Sequence, residues 1–237
     1  MNQADDYDSL ARHPLPALAL RLGVTVPALA VWFWTQSLIG ARLLPESGIG
    51  DGLHLLTAPL NQSLRSHPVV ADALLIMSSA IIDLFGVFLL GRWVFGGTCR
   101  PFLGLLILLG LRQLMQALVA LPAPPNLIWH DPGFPSLLVT YRVANDYFFS
   151  GHTAVAVLGA TEVARLGRPW LKALACLVAV FEMATVLVLR AHYTMDVFTG
   201  IVTALGAAAL AERLSPPVDR WGNMWSSGTE NTKVIGK

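Results

Sequence analysis

Cysteine is nearly absent from this chain, and charge is scarce. Two cysteines, Cys99 and Cys176, cannot build a disulfide framework. Charged residues make up 13%, about half the share of a soluble domain, which excludes an ordinary soluble globule. The net charge of +1 supplies no basic field, so nucleic acid is not an expected partner. The first 16 residues carry Asp5, Asp6 and Asp8 and lack the basic start and apolar centre of a cleaved signal peptide. No two histidines sit close together at the spacing usual for metal ligands, and neither a metal nor another cofactor is expected. Internal repeats and low-complexity tracts are also missing.

What the chain has is long apolar runs. Hydrophobic residues account for 54%. A spanning helix needs about 20 apolar residues, and six runs qualify, at 17–40, 69–91, 101–121, 151–167, 171–190 and 195–213. The expectation is an all-α, polytopic membrane protein. A polar segment, 1–16, precedes a six-helix catalytic domain, 17–213. A polar tail, 214–237, holding Pro216 and Pro217, is expected to be loose. The first run is expected to act as an uncleaved signal-anchor.

Positive charge sets the orientation. With both termini inside, the inner face holds Arg12, Arg21, Arg92, Arg100, Arg165, Arg168, Lys172, Arg213, Arg220, Lys233 and Lys237, against Arg42, Arg65, Arg142 and Arg190 outside. Both cysteines then lie near the cytoplasmic side, where thiols stay reduced. Between spans, residues 51–66 place Leu53, Leu56, Leu60 and Leu64 at helical spacing among Asn61, Gln62 and Arg65, the pattern of an amphipathic helix lying in the interface. Residues 122–150 form a long, proline-bearing outer segment, and long loops tend to be functional.

Two polar motifs interrupt the apolar background. The first runs Asn145-Asp146-Tyr147-Phe148-Phe149-Ser150-Gly151-His152-Thr153, the second Arg190-Ala191-His192-Tyr193-Thr194-Met195-Asp196. The chain between the histidines crosses the membrane twice, which returns both to one face, here the outer one. His192 and Asp196 stand four apart and share a helical face. A carboxylate there can fix the imidazole tautomer and stabilise its cation, leaving the other ring nitrogen to attack phosphorus. His152 can protonate a leaving alkoxide and later deprotonate an acceptor. Ser150 and Gly151 open a helix whose N-terminus favours phosphate. Arg190 and Arg142 can neutralise phosphate oxygens, although an interfacial arginine also snorkels with no chemical role. Asn145, Asp146, Tyr147 and Tyr193 either line a headgroup pocket or cap and pack helices. His152, His192 and Asp196 together can in principle hold a cation.

Asp83, Arg112, Glu162 and Glu182 fall within the spans, where charge is expensive and faces the protein interior. Arg112 and Glu182 lie at matching depths, about 12–14 Å below the outer ends of their spans, and are expected to pair. Such a pair either packs the bundle or floors the active-site cavity.

These motifs resemble the phosphatidic acid phosphatase type 2 (PAP2) superfamily. Tyr147 to Thr153 and His192-Tyr193-Thr194-Met195-Asp196-Val197 are similar to its sphingomyelin synthase branch, which includes plant-type phosphatidylcholine:diacylglycerol cholinephosphotransferases. Arg112 through Leu121-Pro122-Ala123-Pro124 resembles the end of the third helix in that branch. The likeness covers roughly residues 50–213. It implies a six-helix PAP2-like core, a His-His-Asp triad, a phosphohistidine route and no metal. The Lys-x6-Arg-Pro motif of the superfamily's phosphatases is missing from the outer face, since Arg100-Pro101 lies at the inner end of a span, and Arg190 stands only two before His192. Both departures favour a transferase. The expected partners are a phospholipid donor of phosphocholine or phosphoethanolamine and a lipid alcohol, diacylglycerol or ceramide-like; an oligomer is not implied. The alternative is a lipid phosphatase or phospholipid hydrolase using the same triad. A non-enzymatic transporter is disfavoured, because the polar groups cluster at one interface and not at the midplane.

Overall fold

A computed structural model describes residues 26–27, 30–31, 33–35, 37–38, 48–139, 141 and 147–234, with only the backbone for 221–234. Residues 1–50 and 51–237 form separate units. In the first, the described residues between 26 and 38 are helical and expose Val31, Phe33 and Trp34. The expected polar segment 1–16 and most of the expected span 17–40 lie outside the described residues.

In the second unit every regular element among the described residues is a helix. Its elements are α1 (Gly52–Leu56), α2 (Ala58–Ser66), α3 (Pro68–Gly96), α4 (Arg100–Leu118), α5 (Gly151–Ala164), α6 (Pro169–Val188) and α7 (Thr194–Val234). Proline sits in the first turn of α2, α3, α4 and α6, where its missing N–H costs nothing and its fixed φ suits a helix. Of these helices α3, α4, α6 and residues 194–220 of α7 are long and apolar enough to cross a membrane. They present Leu84, Val87, Leu106, Leu177, Val180, Phe198 and Val202 outward, an apolar surface suited to lipid. The protein is an integral membrane protein.

Helix α5 is the axis of the bundle. Its residues from His152 to Ala160 are buried, and it packs against α3, α4, α6 and α7. Its 14 residues span only about 21 Å, shorter than the 151–167 run suggests. Small residues make the close packing possible: Ala154, Ala156 and Ala160 on α5, and Ala204, Ala207, Ala208 and Ala211 on α7 are all buried. At its C-terminal end Glu162 receives both Nε and Nη2 of Arg100, at 3.1 and 3.0 Å, and lies 3.3 Å from Arg165 Nε. Arg165 also grips Glu212 of α7 at 3.1 and 2.7 Å. Glu162 is buried, so its pairing with Arg100 fastens α5 to α4, while the exposed Arg165–Glu212 pair reaches α7 at the same end.

The tail is not loose where it was expected to begin. Helix α7 continues through Pro216 and Pro217. The Asp219 carboxylate accepts from Cys99 N at 2.7 Å and Thr98 Oγ1 at 2.8 Å. It thereby ties α7, beyond its two prolines, to the start of α4. Residues 51–66 are helical as expected, but in two pieces that break at Thr57 ahead of Pro59.

Candidate active site

Residues from five parts of the chain converge on one cavity of about 260 Å³. Its polar lining is Arg112 and Gln113 from α4, Tyr147 ahead of α5, Gly151 and His152 from the first turn of α5, and His192. Its apolar lining is Ile82, Leu109, Val155, Leu137, Leu138 and Val139, with Trp129. The two histidines read from the motifs therefore share a single chamber.

Each histidine is set by local structure. Ser150 is the N-cap of α5 and accepts from Thr153 N at 3.3 Å, while its own N–H donates to Asp196 O at 3.2 Å. That bond docks the start of α5 onto α7. Gly200 permits the approach, since a Cβ there would meet Ser150 O at 2.9 Å. His152 follows on the first turn, edge-on to Trp129 with ring centroids 5.4 Å apart, and its buried Nε2 has no hydrogen-bond partner among the described residues. His192 precedes α7. Its Nδ1 donates to Tyr147 O at 2.8 Å. A carbonyl can only accept, so the proton sits on Nδ1 and Nε2 is left as the basic nitrogen.

The orientation of His192 thus differs from the expectation. Asp196 Oδ2 is 3.7 Å from Nδ1 and accepts instead from Tyr193 N at 2.9 Å. Its negative charge is close, but the tautomer is held by backbone. Helical spacing alone could not show that a carbonyl 45 residues upstream would take the ring proton.

The arginines exchange places. Arg112 and Glu182 do not pair: Glu182 Oε2 accepts from Ser78 Oγ at 2.6 Å and Oε1 has no partner among the described residues. Arg112 turns toward the start of α5, where its Nε donates to Phe149 O at 3.2 Å. A Cβ on Gly151 would lie 3.0 Å from that Nε, so glycine at 151 keeps the guanidinium at the cavity. Equal depth was the reason to pair Arg112 with Glu182, and depth says nothing about which way a helix is rotated. Arg190, expected at the phosphate, is not on the cavity wall. It adopts φ +60, is buried, and donates from Nη2 to His54 O. Tyr193 packs: its ring stacks on His54 at 5.5 Å and its hydroxyl donates to Pro122 O at 3.2 Å. Arg142, Asn145 and Asp146 lie outside the described residues.

Sequence reasoning missed the brace behind the site. Asp51 caps α1 through His54 N at 3.1 Å and also takes Thr194 N and Oγ1, both at 2.6 Å, at the start of α7. His54 Nε2 donates to His192 O at 2.9 Å. Asn61 Nδ2 donates to Val188 O at 2.8 Å. Asp51, His54 and Asn61 form the polar stripe opposite the leucines of 51–66, and that stripe was the available signal.

Comparison with known proteins agrees with the motifs. A family model described as AtPDCT1/2 matches residues 51–213. Phosphatidylcholine:diacylglycerol cholinephosphotransferase 1 of Arabidopsis thaliana is 25% identical over 182 residues, 77% of this chain and 56% of that protein, so the match spans little more than half of that relative. The fold is similar to that in the crystal structure of Aquifex aeolicus LpxE, with a TM-score of 0.51, 18% identity, and coverage of 67% of this chain and 93% of that one.

Proposed function

The chain belongs to the AtPDCT1/2 family, in the sphingomyelin synthase and cholinephosphotransferase-like branch of the PAP2 superfamily, and on that premise we propose that it moves phosphocholine or phosphoethanolamine from a phospholipid to a lipid alcohol. The observation that carries this reading is the chamber itself: two imidazoles and Arg112 line it together with hydrocarbon side chains. An amphiphile fits such a space with its phosphate at the polar groups.

His192 Nε2 attacks phosphorus, the bond to the diacylglycerol oxygen breaks, and His152 delivers a proton to that oxygen. In the second half the acceptor hydroxyl gives its proton to His152 and its oxygen attacks phosphorus, breaking the N–P bond. Arg112 neutralises the phosphate oxygens, and Asp196 stabilises the imidazolium. Trp129 and Tyr147 offer aromatic faces that attract a quaternary ammonium. The exposed leucines of α1 and α2, Leu55, Leu56 and Leu60, rest in the membrane interface. Together with the region 17–40 and α5 the four long helices make six spans, with the site outside and both termini inside.

The deciding experiment presents the purified protein in phosphatidylcholine vesicles with isotope-labelled diacylglycerol. Labelled phosphatidylcholine is the expected product by lipid mass spectrometry. Release of water-soluble phosphocholine or inorganic phosphate, with no labelled phospholipid, would replace transfer by hydrolysis.

A further inference from the structure

The segment after α4 does not stay at the membrane surface. His130 Nε2 meets Asp72 Oδ1 near the start of α3 at 2.7 Å. Six residues later Ser136 Oγ meets Asp83, at 3.0 and 2.9 Å from its two oxygens. Asp83 is eleven residues further along α3, about 16 Å deeper. The chain therefore descends beside α3 to the middle of a spanning helix without forming a helix itself. Non-helical backbone survives at such depth only when it is covered by protein or lines a cavity, and when its polar groups are satisfied. Here Leu137 N and Leu138 N donate to Asp83 at 2.8 and 2.9 Å, and Val139 N donates to Ser136 Oγ at 3.1 Å. Three successive amides are thus satisfied around one carboxylate. Leu138 settles against Gly86, where a Cβ would lie 2.4 Å from its Cδ1. Leu137, Leu138 and Val139 also line the cavity that holds His152 and His192. Leu137 lines the chamber and is also 64% exposed on the protein surface.

We propose that residues 136–139, held by Asp83, are the side wall that selects a lipid alcohol over water as the phosphoryl acceptor. The proposal rests on the phosphotransfer reading above. On this reading an acceptor approaches the N–P bond alongside Leu137, Leu138 and Val139. A lipid alcohol gains apolar contact there, whereas water finds no partner among Leu137, Leu138 and Val139. Whichever hydroxyl arrives, its proton goes to His152, its oxygen forms the new P–O bond and the N–P bond breaks. Wall geometry therefore changes only the identity of the acceptor. Asp83 and Ser136 are positioning residues that act through the wall.

Asp83→Leu removes the anchor, and Ser136→Ala removes one of its donors. In vesicles of phosphatidylcholine with labelled diacylglycerol, the ratio of free phosphocholine to labelled phosphatidylcholine should rise about tenfold in Asp83→Leu, and less in Ser136→Ala. If both products fall in parallel at constant ratio, Asp83 is merely structural and the proposal is overturned. Should Asp83→Leu not fold, Asp83→Asn and Ser136→Ala carry the same comparison. A second readout needs no catalysis. In a Cys176→Ser background, Leu138→Cys, at the half-buried position seated against Gly86, should react slowly with a water-soluble maleimide when Asp83 is present and quickly in Asp83→Leu. Burial and the nearby Asp219 carboxylate push the Cys99 thiol up to about 11, so its background labelling is low. Equal labelling with and without Asp83 would overturn the wall. A wild-type protein that makes no labelled phospholipid but keeps the labelling contrast would overturn the transfer reading, and the acceptor selection with it, and leave only the anchoring of residues 136–139 by Asp83.

Discussion

At His192 the ring proton is held by a peptide carbonyl, and no side-chain substitution can remove that partner. This changes what a mutation series should read. His192→Asn should abolish turnover and the covalent phosphoenzyme. His152→Asn should lose turnover of natural donors and keep part of the reaction with a nitrophenyl donor, whose leaving group needs no proton. In triads where a carboxylate fixes the tautomer, its amide replacement costs about 10⁴-fold. Here the Tyr147 carbonyl keeps the tautomer, and an Asn at 196 still accepts from Tyr193 N. Asp196→Asn should therefore cost nearer 10²-fold, the loss of charge stabilisation alone. A phosphoenzyme trap and steady-state rates on the three variants check this. A 10⁴-fold loss in Asp196→Asn would restore the carboxylate as the orienting group. A His192→Asn protein that still turns over would reverse the roles of the two histidines.

The element that supports the site is the pair α1 and α2, and it is built to work near neutral pH. Burial holds the His54 imidazole below its ordinary 6.5, against the pull of the His192 carbonyl and Asp51. Burial pushes Asp51 up, but bonds from Thr194 and His54 outweigh it and its carboxyl sits below 3.8. Both are lowered values, so both contributions are present above the ordinary pKa and disappear as pH falls. For His54 the loss begins below about pH 6.5 and completes at its lower folded value. Thermal melting in detergent should show wild type losing more stability than His54→Gln between about pH 7.5 and about pH 5.5. Equal losses would detach His54 from the effect. Periodicity made 51–66 legible as a helix with a leucine face. It left unread that the opposite stripe would be buried against the His192 loop, because Asp51, His54 and Asn61 find partners more than 120 positions away. The motif histidines were legible because two polar clusters in apolar sequence have few other uses. Arg112 and Asp83 were visible as charges that needed partners. Their actual partners, the Phe149 carbonyl and the amides after Ser136, belong to irregular backbone that carries no periodic signal.

Over the whole molecule, the direction of the site depends on the charge asymmetry and on α5 and α6 carrying the chain down and back. The structure changes how this is best probed. Ser136 and Ser215, both in segments that read as surface, are poor reporters: Ser136 is bound to Asp83 deep beside α3, and Ser215 is buried near Cys99. His130 and Arg168 serve better, since both are exposed. His130 sits on the cavity side, ahead of the descent to Asp83, and Arg168 lies in the turn between α5 and α6, beyond the Arg165–Glu212 clamp. A spanning distance of about 30 Å of hydrocarbon separates the two faces, so an impermeant reagent reaches only one of them in an intact cell. With Cys176 replaced by serine, His130→Cys should label in intact cells and Arg168→Cys only after the membrane is opened. The reverse pattern would put the histidines on the cytoplasmic side, and the donor and acceptor lipids would then have to come from the inner leaflet. Labelling of both in intact cells would mean that α5 and α6 do not form a hairpin across the bilayer. The proposed even number of crossings between His152 and His192 would fail with it.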